Sequence, residues 1–269
     1  MKKIRLAVIA AILSICLTLI YSAPASAQIS YAGAVIVTES LMPDLSKNFE
    51  DKYKVKISPI DTVLSKEAVK LIGSGKYDVI GLGHSPTNEE KKQDFYYVIA
   101  AYDALIVCVN SKNGVSDLSS EQLKGIFTGK ILNWKDVGGK DAKIDVVIPP
   151  VTSGISNEFK KNVLFGTDYL ASPSVTTLKP DLCAGVVEKN ENSVSFISLP
   201  WKTPNLKVLS VNKVAPTNEA ILEGDYIMSR PLIFACKEAP RDNVKLFIDF
   251  VISAEGQAIV AKKFVPVKK

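Results

Sequence analysis

Short runs of apolar and β-branched residues alternate along the chain with stretches whose apolar residues recur every three or four positions. Residues 32–37 (AGAVIV) predict a first strand, and 40–53 predict a helix with Leu41, Leu45 and Phe49 on one face. Alternating polarity over 54–60 predicts a second strand. A helix over 65–78 follows, capped by Ser65 and ended by Gly73 and Gly75, and 77–83 (YDVIGLG) reads as a buried third strand. The order returns in the middle, with strand 103–110, helix 119–129 capped by Ser119 or Ser120, and strand 143–150. A helix over 153–166 then opens on Ser153 and Gly154. Residues 242–263 predict an amphipathic helical stretch broken near Ser253. Strands separated by helices call for parallel pairing, so the expected class is α/β.

The first residues change the picture, because they read as a targeting segment. Lys2, Lys3 and Arg5 precede an apolar stretch from Leu6 to about Tyr21, and Ala25-Ser26-Ala27 offers small residues for signal peptidase. Residues 1–27 are therefore expected to be a signal peptide cut before Gln28, which makes the protein periplasmic or extracellular. The apolar run is also close to spanning length, so retention as an anchor is the alternative. Cys16 sits in only a loose lipobox, with bulky Ile15 where a small residue is wanted. No later stretch is long and apolar enough to cross a bilayer.

Composition narrows the function. A chain of 269 residues, 47% hydrophobic and 23% charged, is ordinary for a globular protein and long enough for two lobes. Without the three basic residues of the leader, 30 basic residues of the 33 face 28 acidic ones, a net charge of +2. That balance argues against nucleic acid as a partner. Cys108, Cys183 and Cys236 form no CxxC, so no metal is expected, and a disulfide or buried thiols both fit an exported chain. His84 is the only histidine, no GxSxG accompanies it, and IGSGKYD lacks P-loop spacing. The reading is a protein without catalytic residues or cofactors.

From Ala101 onward the sequence resembles the substrate-binding proteins of phosphate ABC importers. The residues are AYDALIVCVN (101–110) and DLSSEQLKGIFTGKILNWKDVGGKD (117–141), then NSVSFISL (192–199), APTNEAILEGDYIMSRPL (215–232) and VKLFIDFVISAEGQAIVAKKFVPV (244–267). These cover most of the mature chain in the family's order. The resemblance implies a two-lobed periplasmic-binding-protein-like fold, each lobe a mixed, mostly parallel sheet flanked by helices and joined by two crossover strands. Lobe one would comprise 28–105 and 233–269, lobe two 106–225, and 226–232 the return hinge. The crossings would lie near Ala101–Leu105 and Ser229–Leu232, with Pro231 either stiffening the second or marking a plain edge strand. The implied partners are phosphate or a similar oxyanion and a membrane ABC importer permease, and the protein is expected to be a monomer.

An oxyanion site needs rigid donors, and helix N-termini supply them through unpaired N–H groups and a positive dipole end. Matching the family's positions gives three: Thr38-Glu39-Ser40, then Ser65, then Ser153, Gly154 and Ile155. His84 and Ser85, after the third strand, complete the candidate set. Each serine or threonine could instead be an ordinary helix cap, and His84 a structural strand-end residue. Four departures bear on specificity, one being that the first turn, Thr38-Glu39-Ser40, lacks the family's glycine and carries the acid Glu39. Pro149 or Pro150 stands where the family has an arginine, Ile155 where it has a threonine, and Gly83-His84-Ser85 where it has an acid or Ser-Arg. The alternative function is a paralogue of the same fold that senses, scaffolds or binds another small solute.

Overall fold

The computed structural model describes residues 28–169 and 175–267, together with the backbone but not the side chains of Ser65 and Lys66. The expected leader lies outside the described residues. Twelve strands are formed among those described: β1 (Gln28–Ala34), β2 (Lys56–Val63), β3 (Val79–Leu82), β4 (Tyr96–Asn110), β5 (Asp117–Leu118), β6 (Asp145–Ile148), β7 (Val175–Thr176), β8 (Ser193–Ser198), β9 (Leu206–Val208), β10 (Ser210–Val211), β11 (Ser229–Cys236) and β12 (Val265–Pro266). Ten of them form one mixed sheet along the order β2-β1-β3-β11-β4-β8-β6-β7, with β9 and β12 also pairing β4, and β5 with β10 makes a small second sheet.

At either end of the long sheet the pairing is parallel, as the strand–helix alternation requires: β1 with β2 and β3, and β6 with β7 and β8. The middle is antiparallel. There β4 pairs with β11 over Tyr96 to Ala104, and its later residues turn to β8 and β9. Thus β4 runs from one half of the sheet into the other, and β11 returns beside it. Pro231 is paired only with β4, because β3 covers β11 from Ile233 to Ala235. A proline without an N–H is tolerated there, at the uncovered stretch of a central strand.

Period-two burial explains the helices around β1, β3 and β11. Tyr31, Val79, Phe234 and Cys236 face a core with the helices Met42–Tyr53 and Asp242–Ile252, where Phe49 packs edge-on against Phe247 at 5.2 Å. Ala32, Ile80, Leu82, Ile233 and Ala235 face the opposite way, against Ala68, Val69 and Ile72 of the helix Ser65–Ser74. The other half of the sheet has its own core around Phe127, Trp134, Phe159 and Phe196, in which Phe159 and Phe196 stack at 3.9 Å.

The C-terminal helical stretch breaks at Ser253, which ends Asp242–Ile252 and caps Ala254–Val260. Ser119, not Ser120, caps Ser120–Phe127, in a reciprocal capping box with Gln122. The beginning of the chain departs from expectation. The apolar run 32–37 is not one strand, because β1 ends at Ala34 and a π-helical turn, Ile36–Leu41, starts within it. Val35, Ile36 and Val37 are β-branched, yet Ile36 and Val37 are buried in one core with Leu41 and Met42, and that packing decides the conformation rather than strand propensity. All three cysteines after the leader are buried free thiols. Among the described residues no helix is long and apolar enough to cross a membrane.

Candidate functional site

A cleft of about 690 Å³ lies beside the β4–β11 pair. One wall comes from the β1–β3 half: Ala34 to Ile36, Val63, Leu64, Glu67, Lys70 and Gly83. The other comes from Pro150 to Ile155, Asn157, Pro180 and Trp201, and Arg230 of β11 completes the lining.

Three helix beginnings meet this space. The π-helical turn leading into Met42–Tyr53 starts after Val35, and the helix Ser65–Ser74 starts after Leu64. Among the described residues neither start has a side-chain cap hydrogen bond to its first N–H groups. The third helix, Gly154–Asn162, is capped by Ser153, whose Oγ accepts from the Ser156 N–H. The amides of Gly154 and Ile155 stay clear of that cap. Helix starts from both halves of the sheet therefore border one cavity, which is an arrangement that favours a negatively charged ligand.

The sequence-derived candidates divide between the cleft and elsewhere. Ser153, Gly154 and Ile155 line it. Ser65 is the first residue of its helix rather than the cap, a place taken by Leu64, and the Ser65 side chain lies outside the described ones. Thr38 and Ser40 are not brought to the lining. The helix begins earlier than expected, so both fall inside the π-helical turn and are buried, Thr38 lying 3.3 Å from the Tyr31 hydroxyl. Glu39, between them, is exposed and also outside the lining. His84 is not a cleft residue either: its Nε2 meets the Glu90 carboxylate at 3.1 Å, and Glu90 in turn closes a capping box with Thr87. Ser85 is exposed beyond it, while Gly83 reaches the cleft.

Arg230 is the site residue that sequence reasoning missed. Its side chain is 3% exposed, with Nε and Nη2 donating to Asp103 Oδ2 at 3.0 and 2.9 Å, and Nη2 also to Ser198 Oγ at 3.0 Å. Asp103 is fully buried, and its Oδ1 accepts from the Leu199 N–H at 3.3 Å. Burial pushes the Asp103 carboxyl up, with Arg230 and Ser198 pulling against it. The available signal was an arginine opening the apolar run SRPLIFAC, where a charge is out of place unless it is paired.

Comparison with known proteins adds the context. A PBP superfamily domain model matches residues 22–255. The phosphate-binding protein PstS of Borreliella burgdorferi is 33% identical over 188 residues, covering 66% of this chain and 67% of that protein. Across similar curated relatives the matched part spans between 52% and 67% of their length. A substrate-binding protein from Clostridium perfringens, crystallised with bound phosphate, superposes with a TM-score of 0.77 at 30% identity, over 90% of this chain and all of that one. An ABC-type phosphate transport receptor from Vibrio cholerae gives 0.78 at 26% identity, again over 90% and 100%.

Proposed function

The chain belongs to the PBP superfamily, and within it to the PstS-type phosphate-binding proteins, and from that premise we propose that it captures inorganic phosphate or a closely related oxyanion and presents it to a membrane ABC importer. It is a binding protein, not an enzyme. The observation that carries the reading is the meeting of three helix beginnings, at Val35–Ile36, Leu64–Ser65 and Ser153–Gly154, around one cleft. Such N-termini hold an anion by backbone donors and need few charged side chains.

In this reading the two halves of the sheet are the lobes, 28–105 with 233–269 and 106–225, and the residues 226–232 are the return hinge. The β4 and β11 crossings are where they flex, and closure brings the Ser153 helix toward Leu64. Leu64 and Val151 support this, since both are exposed apolar residues at the cleft, 60% and 53% accessible, on opposite walls. Closing the lobes would remove that surface from water. Export behind residues 1–27 would place the receptor outside the cytoplasmic membrane, as a monomer.

A second reading has its own support. Ile155 lines the cleft where the resembling family carries threonine, and Pro149 or Pro150, of which Pro150 is on the lining, stands where that family carries arginine, so the ligand would be a different small solute. Calorimetric titration with phosphate, sulfate and molybdate decides between them. Saturable phosphate binding is the expected result, accompanied by a change in tryptophan fluorescence, because Trp201 lines the cleft. Binding of none of the three overturns the oxyanion reading and leaves the fold in place.

A further inference from the structure

We propose that Arg230 is itself a ligand-contacting residue: its Nη1 donates to the bound oxyanion from the floor of the cleft, while Asp103 and Ser198 hold the rest of the guanidinium. This rests on the oxyanion reading of the cleft and names a donor that the helix starts do not supply.

A guanidinium carries five N–H donors on three nitrogens. Nε and Nη2 are engaged by Asp103 Oδ2 and Ser198 Oγ, and among the described residues Nη1 has no hydrogen-bond partner. Arg230 nevertheless lines the cleft, and Nη1 lies beside Gly83, another lining residue, 3.8 Å from where a Cβ would stand. The nitrogen left without a partner is thus the one bordering the cavity.

The surroundings make it a fixed donor. Arg230 belongs to β11, Asp103 lies directly opposite it on β4, and Ser198 ends β8. Arg230 and both of its anchors are strand residues, so the fork is held by the sheet rather than by loops. Lys70, the other cation of the lining, is exposed on its helix, with Glu67 one turn before it also on the lining. A hydrated, mobile ammonium next to a carboxylate is a poor anchor beside a buried, oriented guanidinium.

Stability alone is a weak reason for the pair. A buried ion pair repays its desolvation poorly compared with apolar side chains of similar volume, so its presence at a cleft floor calls for a use. An oxyanion oxygen against Nη1 satisfies the remaining donors of a group whose charge is already desolvated. It also offsets what the cleft lacks at Pro149 and Pro150, where no cation is possible. Because Asp103 balances the guanidinium, the floor offers directed donors without a net positive charge.

The test compares wild type with Arg230→Lys, which keeps a cation for Asp103 but loses the second arm of the fork. Phosphate affinity is expected to fall about 10- to 100-fold while the melting temperature stays within a few degrees. A variant that melts like wild type and binds inorganic phosphate with unchanged affinity overturns the inference and leaves the oxyanion reading intact. If Arg230→Lys does not fold, side-chain ¹⁵N NMR on the wild type decides. The chain has only three arginines, Arg5, Arg230 and Arg241, so an Arg241→Lys sample assigns the signal. An Arg230 Nη resonance that shifts saturably with phosphate supports the contact, and one that stays fixed through saturation overturns it. A wild type that binds none of phosphate, sulfate and molybdate overturns this inference and the oxyanion reading together.

Discussion

Asp103 and Arg230 face each other across the antiparallel β4–β11 ladder, and two nitrogens of the arginine converge on a single carboxylate oxygen of the aspartate. The strands that carry them are the two that join the halves of the sheet. Their side chains therefore tie β4 to β11 beside the cleft, whose lining includes Arg230.

Removing one partner of that pair should be costly. Asp103→Ala leaves a guanidinium buried without its anion, and urea unfolding is expected to show a loss of about 3–5 kcal/mol. The double variant Asp103→Leu with Arg230→Met removes both charges and should lose less than the sum of the single changes. Additive losses would mean that the two side chains do not stabilise the fold as a unit.

At the helix start across the cleft, Ser153→Asp offers a cleaner separation of binding from folding. Aspartate caps helices as well as serine does, so Gly154–Asn162 should keep its start and the melting temperature should hardly move. The added carboxylate would stand among the donors meant for the ligand. Phosphate affinity is expected to drop by at least about 100-fold, the consequence of placing like charges in contact. Retained binding would move the site away from this helix.

Much of this organisation was legible in the sequence, and the failures have a common cause. The caps at Ser119 and Ser153 and the break at Ser253 are local, since a hydroxyl and an amide three residues on suffice to specify them. The placement of Val35 to Val37 was not local: their strand-like character yields to the burial of Ile36 and Val37 in the core, and with it the expected helix start moves from Thr38 back to Val35. His84 was open between cleft and structural roles until Glu90 was seen to engage it. Arg230 and Asp103 lie 127 positions apart, and only the register of β4 with β11 makes them neighbours. A reading based on motifs sees the ends of helices well and the floor of a cleft poorly.

Close packing between β1 and β3 supplies a third prediction. The Tyr31 ring lies over Gly33 and Gly81, and a Cβ added at Gly81 would stand 2.1 Å from its hydroxyl oxygen and 3.0 Å from Val37 Cγ1. Gly81→Ala should therefore destabilise by about 1–3 kcal/mol through overpacking. Tyr31→Phe removes the nearest obstructing atom, so the double variant should recover part of that loss even though the contact of Tyr31 with Thr38 is gone. A Gly81→Ala protein as stable as wild type would show that the tyrosine can move aside at little cost.

The buried thiols predict how stability depends on alkaline pH. Burial pushes the Cys236 thiol up to about 12, and Cys108 and Cys183 are raised by the same cause. In the unfolded chain a thiol titrates near ~8.5. Below that pH both states hold the proton and stability is at its full value. Above it the unfolded state releases protons that the folded state retains, so stability falls as pH rises, by up to about 1.4 kcal/mol per pH unit for each thiol until the folded group titrates. Urea unfolding at pH 8, 9 and 10 under reducing conditions should show a progressive loss over that window, and Cys→Ser replacement at all three positions should flatten the slope relative to its own lower baseline. At pH 8 the thiols should resist alkylation in the native protein and react after denaturation, because the nucleophilic thiolate is suppressed by burial. Rapid native labelling at pH 8 would show that these thiols are accessible and titrate close to their ordinary value.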